Sequence, residues 1–273
     1  MSVRSSAAKR SIKRWARWLF AMGSTMAGVG REGSLTPGLR ILTYHRVTHD
    51  PADPFTVGPS DFRAQMEQVA ATGASMPLEE ALLDLGQGGA PFRIVLTFDD
   101  GTGDFRTDAL PVLTRLRLPA TLYVSPARVG EPGFLGWDEL RAIRDAGIRI
   151  GSHGLDHRSL GRMPLPDAGF QARESKRILE DRLGIEVTSL AYPFGTVRDY
   201  SEGVKQILMK AGYRSALTSV NGINSKSSDL MELRRTKIEQ GDGPIYRRIL
   251  SGGLDGWSFV DRNLAAFQNR YVS

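Results

Sequence analysis

The stretch Arg93-Ile94-Val95-Leu96-Thr97-Phe98-Asp99-Asp100-Gly101 joins a run of apolar and β-branched residues to two adjacent carboxylates. The apolar run has the length and composition of a buried strand. The Asp-Gly pair after it is typical of a turn at the end of that strand. Two neighbouring carboxylates repel each other when both are ionised, and a divalent cation would remove that cost for one of them. The stretch therefore predicts either an ordinary turn or a metal site at a strand end.

Strand-like and helical patterns alternate outward from this stretch. The strand candidates are residues 40–44, 93–98, 120–124, 148–151, 187–191 and 214–217. The helix candidates are residues 61–71, 78–85, 108–116, 137–146, 168–183 and 202–211. This alternation indicates parallel strands with helices outside them. Six units in one chain favour an α/β barrel that is closed or nearly closed, and an open doubly wound sheet is the alternative.

A second polar group, His153-Gly154-Leu155-Asp156-His157, follows the candidate strand at 148–151. The H-x3-H spacing predicts a helical turn with both imidazoles on one face, where they could share a metal ion. A polar loop with two surface histidines is the alternative. The chain has no cysteine and only four histidines, so any metal must be held by His and carboxylate side chains.

Two further groups lie at strand ends. Ala191-Tyr192-Pro193-Phe194-Gly195 predicts a tight bend that could aim a backbone N–H at a carbonyl, and Tyr44-His45-Arg46-Val47 places a histidine after the first strand. Either group alone is better explained as an ordinary loop or a structural histidine. All four groups, however, are expected at the carboxyl ends of parallel strands, which meet at the rim where barrel active sites assemble.

The charge of the chain is concentrated at its N-terminus. Residues 1–40 carry eight Lys or Arg and one Glu (8 − 1 = +7), which leaves 28 basic and 29 acidic residues (−1) for the remainder. The main body thus lacks the basic character of a nucleic-acid-binding domain, and no nucleic-acid partner is expected.

The N-terminal arm, residues 1–37, shows the pattern of a basic amphipathic helix. Its basic residues recur on one helix face and its apolar residues on the other, namely Lys9, Arg10, Lys13, Arg14 and Arg17 against Ile12, Trp15, Leu19 and Met22. Peripheral contact with a membrane is the favoured interpretation, and a signal peptide or a disordered tail are the alternatives. We therefore expect a cytoplasmic protein that touches the inner membrane face, or alternatively an exported one.

The motifs resemble those of polysaccharide deacetylases of carbohydrate esterase family 4, also called the NodB-homology family. Residues 97–101 match its first motif and residues 153–157 its second, and the similarity extends over roughly residues 38–240. The resemblance implies one distorted (β/α) barrel domain at residues 38–273. It also implies a divalent metal held by Asp100, His153 and His157, with Asp99 as general base. Phe194 would supply an N–H to the oxyanion, with Tyr192 beside the substrate.

Two departures from the family pattern stand out. Ala191 occupies the place of an arginine that usually partners the base, and no histidine follows His157 to serve as general acid. The segment 44–47 is similar to the subgroup that deacetylates poly-N-acetylglucosamine, where an N-terminal histidine acts as the acid. That resemblance assigns the acid to His45, with His49 as the fallback, and gives Arg235 the task of orienting a carboxylate.

These features predict metal-dependent removal of N-acetyl groups from an amino-sugar polysaccharide. Zinc is the favoured ion, although one carboxylate and two imidazoles also accept Co²⁺, Ni²⁺, Mn²⁺ or Fe²⁺. The expected partner is an N-acetylated glycan. Two alternatives stay open: deacylation of a lipid-linked or small amino sugar, and a non-catalytic carbohydrate-binding module on the same fold.

Overall fold

A curled parallel sheet organises the protein, whose computed structural model describes residues 2–26, 35–49, 53, 55–87 and 91–263. The strands are β1 (Gly38–Tyr44), β2 (Arg46–Val47), β3 (Thr56–Val57), β4 (Phe92–Phe98), β5 (Ala120–Val124), β6 (Arg149–Ser152), β7 (Ser189–Ala191), β8 (Ser215–Leu217) and β9 (Thr236–Lys237). Seven of them pair in the order β8-β7-β6-β5-β4-β1-β9, while β2 and β3 form a separate pair. All these pairings are parallel, which confirms the α/β prediction.

Helices surround the curled sheet, and most of them pack on its outer face. They are α1 (Ser2–Met26), α2 (Pro59–Ala71), α3 (Leu78–Gly86), α4 (Leu110–Leu116), α5 (Trp137–Asp145), α6 (Leu165–Leu183), α7 (Glu202–Lys210), α8 (Tyr246–Leu250) and α9 (Ser258–Asn263). One π-helical turn, Phe105–Ala109, precedes α4. The six helices and six strands predicted from periodicity are all present, with ends shifted by three residues at most.

The seam between the outermost strands β8 and β9 is bridged by the segment 233–237. Leu233 donates its backbone N–H to the carbonyl of Ala216 and accepts from the N–H of Thr218. Three residues later the same segment pairs with β1, where Thr236 lies opposite Leu42. The sheet thus curls into a half-barrel whose open side is spanned by a few hydrogen bonds, which agrees with the distorted barrel expected above.

Alternation along the strands divides the apolar side chains into two layers. Outward residues such as Leu42, Leu96 and Leu122 pack in the large core beneath the surrounding helices. Inward residues of the sheet form a smaller core that also receives Leu78, Ala81 and Leu85 of α3. Successive side chains of a strand point to opposite faces, so this period of two assigns each strand residue to one layer. The inner layer fills the barrel below the rim.

Helix α1 packs against the barrel and is not separate from it. Lys13 Nζ lies 2.7 Å from a Glu239 carboxylate oxygen, and Arg17 Nη2 lies 2.7 Å from one of Asp242, with all four side chains buried. Arg17 also donates to the backbone carbonyl of Lys237 in β9 at 3.0 Å. The basic residues expected to face solvent or lipid are therefore partly used to bind the body of the protein.

The apolar face of α1 points outward instead. Ile12, Trp15 and Leu19 are each about 60% exposed, whereas Ala21 on the inner side is buried. Within the described ranges, none of the helices combines the length and hydropathy that crossing a bilayer demands. The orientation follows from the two buried ion pairs, because residues 13 and 17 share one face of a helix and draw that face inward.

Candidate metal centre and catalytic site

Asp100, His153 and His157 meet at the carboxyl-terminal rim of the sheet. His157 Nε2 lies 3.2 Å and His153 Nε2 3.6 Å from the same oxygen, Asp100 Oδ1. The three potential ligand atoms all lie within 4.8 Å of one another. Asp100 follows β4 and the two histidines follow β6, so parallel strands bring them to one edge. One carboxylate and two imidazoles form a cluster that could bind a divalent metal.

The hydrogen bonds around this cluster leave the ligand atoms available. Asp100 Oδ1 is buried and accepts no hydrogen bond from any described residue. His153 Nδ1 lies 2.8 Å from the carbonyl of Ala191, which accepts only, so Nδ1 carries the proton and Nε2 presents a lone pair. Burial lowers the pKa of His153 to about 4, which keeps the ring neutral. A buried carboxylate oxygen without a hydrogen-bond partner, facing two imidazole nitrogens, fits a cation.

Backbone strain is concentrated at this cluster. Four non-glycine residues in the described part of the chain have positive φ, and three of them are Asp100 (75°), His157 (62°) and Phe194 (63°). Such conformations cost free energy and persist where the surroundings enforce them, often at functional sites. The predicted helical turn at 153–157 is wrong, because these residues form an irregular loop with Gly154 also at positive φ. Residue spacing alone did not reveal that conformation.

Asp99 is held by a second charged group. Arg235 donates from Nη1 to Oδ1 at 2.8 Å and from Nη2 to Oδ2 at 2.7 Å, with both side chains buried. Arg235 also donates from Nε to the carbonyl of Thr218 at 2.7 Å. Burial alone would raise the pKa of Asp99, but Arg235 and His153 outweigh it and hold that pKa below its usual range. Asp99 is thus an oriented anion adjacent to the cluster and separate from it.

Ala191 cannot pair with Asp99 as the family's usual arginine does. Arg235, from the segment 233–237, makes that ion pair instead. The expected orienting role of Arg235 has a geometric basis, since its planar guanidinium matches both carboxylate oxygens. The segment 233–237 brings Arg235 to Asp99 from the opposite side of the curl, 136 residues away in sequence.

His45 lies on the other side of Asp99. Its Nε2 is 4.0 Å from Asp99 Oδ2, and its ring stacks on Phe55 with centroids 5.0 Å apart. Asp104 fixes the segment that carries His45, because its carboxylate accepts from the N–H of Val47 at 2.7 Å. His49, the fallback acid, is exposed and does not line the pocket formed by the other site residues. The structure therefore places His45 and not His49 beside the cluster.

The bend at 193–195 closes the site on the side of β7. Gly195 has a φ of 62°, and a Cβ atom there would lie 2.6 Å from Ser219 Oγ, so only glycine fits. Phe194 packs edge-on against His157 at 5.0 Å between centroids. Its backbone N–H donates to no other described residue, which leaves it available to a ligand. The bend predicted from Pro and Gly therefore exists and borders the cluster.

Tyr192 differs from its expected place beside the substrate. Its side chain is fully buried, its hydroxyl donates to the carbonyl of Met231 at 2.9 Å, and its ring stacks on Tyr200 at 5.1 Å. Tyr192 follows the inward-facing Ala191 directly, so the alternation of side chains points it into the outer core. Its contribution is to packing behind the bend.

Comparison with known proteins adds a family context to this geometry. Residues 87–216 match the family model named polysaccharide deacetylase. YxkH of Bacillus subtilis, a protein ascribed to the same family, is 27% identical over 206 residues, which cover 74% of this chain and 72% of YxkH. The peptidoglycan-N-acetylglucosamine deacetylase PgdA of Listeria monocytogenes is 27% identical over 165 residues, 60% of this chain but 31% of PgdA.

A solved structure shows the same likeness in three dimensions. The deacetylase PplD of Streptococcus pyogenes, in complex with acetate, superposes with a TM-score of 0.70 at 26% identity. The match covers 77% of this chain and 96% of PplD. The family model includes Asp99, Asp100, His153 and His157, whereas His45 and Arg235 lie outside it. The support for those two residues is the resemblance in the sequence and their positions in this structure.

Proposed function

Because this chain contains a polysaccharide deacetylase domain of the NodB-homology type, we propose that it removes N-acetyl groups from an amino-sugar polysaccharide with a divalent cation held by Asp100, His153 and His157. One observation carries the proposal: an ionised carboxylate, Asp99, lies directly beside a partly buried Asp-His-His cluster and is not needed as a ligand. A module that only binds sugar has no use for a base beside a cation. The reaction is hydrolysis of a C–N bond that yields acetate and a free amine.

The cation would supply Lewis acidity, which lowers the pKa of water and polarises a carbonyl group. Zinc suits this donor set best, and Co²⁺, Ni²⁺, Mn²⁺ and Fe²⁺ are also compatible with it. Asp100 Oδ1, His153 Nε2 and His157 Nε2 are the atoms that would hold it.

Asp99 takes the proton from the attacking water in this mechanism. Arg235 keeps both carboxylate oxygens oriented and the group ionised at neutral pH. The same contact makes Asp99 a weak base, so its effect depends on an acidified water as the proton donor. The backbone N–H of Phe194 donates to the oxygen on which negative charge develops.

His45 delivers a proton to the departing amine. An amide nitrogen is a poor leaving group until it is protonated, so a general acid is required. His45 lies within 4.0 Å of Asp99, and its stacking on Phe55 restricts the orientation of the ring. No histidine follows His157 in the sequence, and His49 is exposed and does not line the pocket, which supports His45 for this role.

A cleft next to the cluster has the dimensions to receive a glycan. It encloses about 540 Å³ and shares His157 and Phe194 with the site. Three arginines lie along it: Arg128, Arg158 and Arg162. An open groove leading to a small catalytic pocket suits a polymer of amino sugars, and the name of PgdA points to N-acetylglucosamine as the unit acted on by that relative.

The proposed function is tested by acetate release from N-acetylated glycans. We expect release from chitooligosaccharides or poly-N-acetylglucosamine oligomers, loss of release after treatment with a chelator, and recovery after addition of Zn²⁺. If no glycan released acetate, whatever metal was added, the proposal would be contradicted and a binding module would be favoured. Acetate release that survives complete removal of metal would contradict the role of the cluster.

We also propose that the outer face of α1 contacts a membrane surface. Ile12, Trp15 and Leu19 form an exposed apolar face, while Lys13 and Arg17 hold the opposite face to the barrel. An amphipathic helix with exposed Trp and Leu favours the interfacial region of a bilayer. The same contact would suit the second candidate substrate, a lipid-linked amino sugar, at the cytoplasmic membrane face.

Substitution of Ile12, Trp15 and Leu19 by serine is expected to reduce binding to phosphatidylglycerol vesicles at least ~10-fold. Each side chain loses on the order of 1 kcal/mol or more of transfer free energy, and 1.4 kcal/mol corresponds to tenfold. Co-sedimentation measures the bound fraction. Leu83→Ser is the control, because Leu83 is 69% exposed but lies in α3. Equal sedimentation of the triple variant and the unaltered protein would exclude α1 as the contact.

A further inference from the structure

Lys237 of β9 lies in the wall of the catalytic pocket, and the mechanism above gives it no task. It follows Arg235 by two residues, so both side chains leave the seam on the same face and point toward the rim. The same pocket is lined by His45, Phe55, Asp99 and the three residues of the Asp-His-His cluster. Lys237 is 8% exposed, and its Nζ lies 5.8 Å from the centre of the Phe55 ring.

The ammonium of Lys237 lies over the Phe55 ring but has no carboxylate of the described residues in contact with it. Within the described ranges of the chain, its Nζ makes no hydrogen bond and no ion pair. Two carboxylates attract it without touching it: Glu239, which pairs with Lys13 at 2.7 Å, and Asp261, which accepts hydrogen bonds from the backbone and side chain of Asn221. A lysine this little exposed is rare without a carboxylate bound to it, because the water it loses costs more than an aromatic ring returns.

The surroundings make an added negative charge favourable at this point. Burial and the nearby ammonium of Lys13 lower the pKa of Lys237, and the opposing attraction of Asp261 and Glu239 does not offset them. Glu239 does not compensate fully, because it also balances Lys13 at 2.7 Å and Arg17 at 3.8 Å. An anion in the pocket would offset both the desolvation and the repulsion. A neutral hydroxyl could be bound equally well by an uncharged donor, which would not carry the cost of burying an ammonium.

We propose that Lys237 binds a carboxylate group of the ligand in the catalytic pocket. This inference rests on the proposed function and narrows its substrate class. The carboxylate has two possible sources: an acidic substituent on the amino sugar that is deacetylated, or the acetate that the reaction releases. An ammonium donates a charge-assisted hydrogen bond to either.

The test compares the unaltered protein with Lys237→Gln and Lys237→Arg in the metal-loaded full chain. The neutral substrate is a tetramer of N-acetylglucosamine, and the acidic one is a tetrasaccharide that contains N-acetylmuramic acid. For the substrate as source, we expect kcat/KM to favour the acidic glycan about 10- to 100-fold, a preference that Lys237→Gln abolishes and Lys237→Arg partly keeps. For acetate as source, calorimetry would show weaker acetate binding in Lys237→Gln with no glycan preference.

The inference would be overturned if the unaltered protein had equal kcat/KM values for both glycans and Lys237→Gln bound acetate as tightly as the unaltered protein. Lys210→Gln is the control, because Lys210 is an exposed lysine in α7. A purely structural role is distinguished by thermal melting, since removal of an unpaired buried charge should leave the melting temperature unchanged or higher. If no glycan were hydrolysed, the proposed function would fail on its own, and calorimetric titration of the two tetrasaccharides would still decide the role of Lys237.

Discussion

Asp99→Asn is expected to lower the turnover number for acetate release at least ~100-fold, the usual size of a general-base effect, while the metal content stays unchanged. Asparagine has nearly the shape of aspartate but cannot accept the proton of the attacking water. Asp99 also contributes no atom to the Asp-His-His cluster, since Arg235 binds both of its oxygens. Steady-state kinetics and elemental analysis of the purified variant measure the two quantities.

The acid position serves as an internal comparison. His45→Ala should reduce turnover by a similar factor, whereas His49→Ala should not, because His49 is exposed and outside the pocket. The reverse pattern would move the acid to His49. Near-normal turnover of Asp99→Asn, with normal metal content, would remove the base role from Asp99 altogether.

Arg235→Met is expected to destabilise the protein by about 3–5 kcal/mol, the range found when one partner of a buried ion pair is removed. Methionine fills much of the space of the arginine side chain but leaves Asp99 as a buried anion without its counter-charge. For a chain of this size the melting temperature should fall by roughly 10 °C. Activity should fall as well, because the carboxylate loses its orientation. Calorimetric melting and acetate release measure the two effects.

Two further variants separate charge from packing. The double variant Arg235→Met/Asp99→Leu should recover much of the stability but none of the activity, since it removes both buried charges together. Arg93→Met is the matched control, because its ion pair with Asp84 at 2.7 Å is about a quarter exposed and should contribute at most ~1 kcal/mol. If Arg235→Met lowered the free energy of unfolding no more than Arg93→Met, the buried ion pair would contribute little to stability.

The sequence was sufficient to predict most of the fold. Strand and helix periods differ enough that residues such as Leu96 and Leu122 could be assigned to their elements before any coordinates. The placement of Asp99, Asp100, His153 and His157 at one rim followed from the rule that parallel strands share a carboxyl-terminal edge. These inferences depend on the spacing of apolar residues within one element and on the residues that follow it, and both can be read from a single sequence.

The remaining features depend on contacts between distant segments. Thr236 and Lys237 form a strand of two residues, too short to give an alternating pattern, so the sequence did not predict the seam. The orienting role of Arg235 came from the family resemblance, which did not say that Asp99 is the carboxylate it binds. The left-handed conformation of His157 is imposed by its surroundings, and the residue type gives no signal for it. Phe55 and Asp104, which hold His45 in place, also had no motif that singled them out.

The contact between α1 and β9 makes the N-terminus part of the catalytic architecture. Arg17 binds the backbone of the very strand that presents Lys237 to the pocket, and Lys13 neutralises the acid two residues farther on. A shortened protein that began after residue 26 would retain every chemical group of the reaction. It would nevertheless leave two buried acids, Glu239 and Asp242, without their cations just behind the active-site wall. Trimming this terminus for easier expression is therefore an alteration of the enzyme itself.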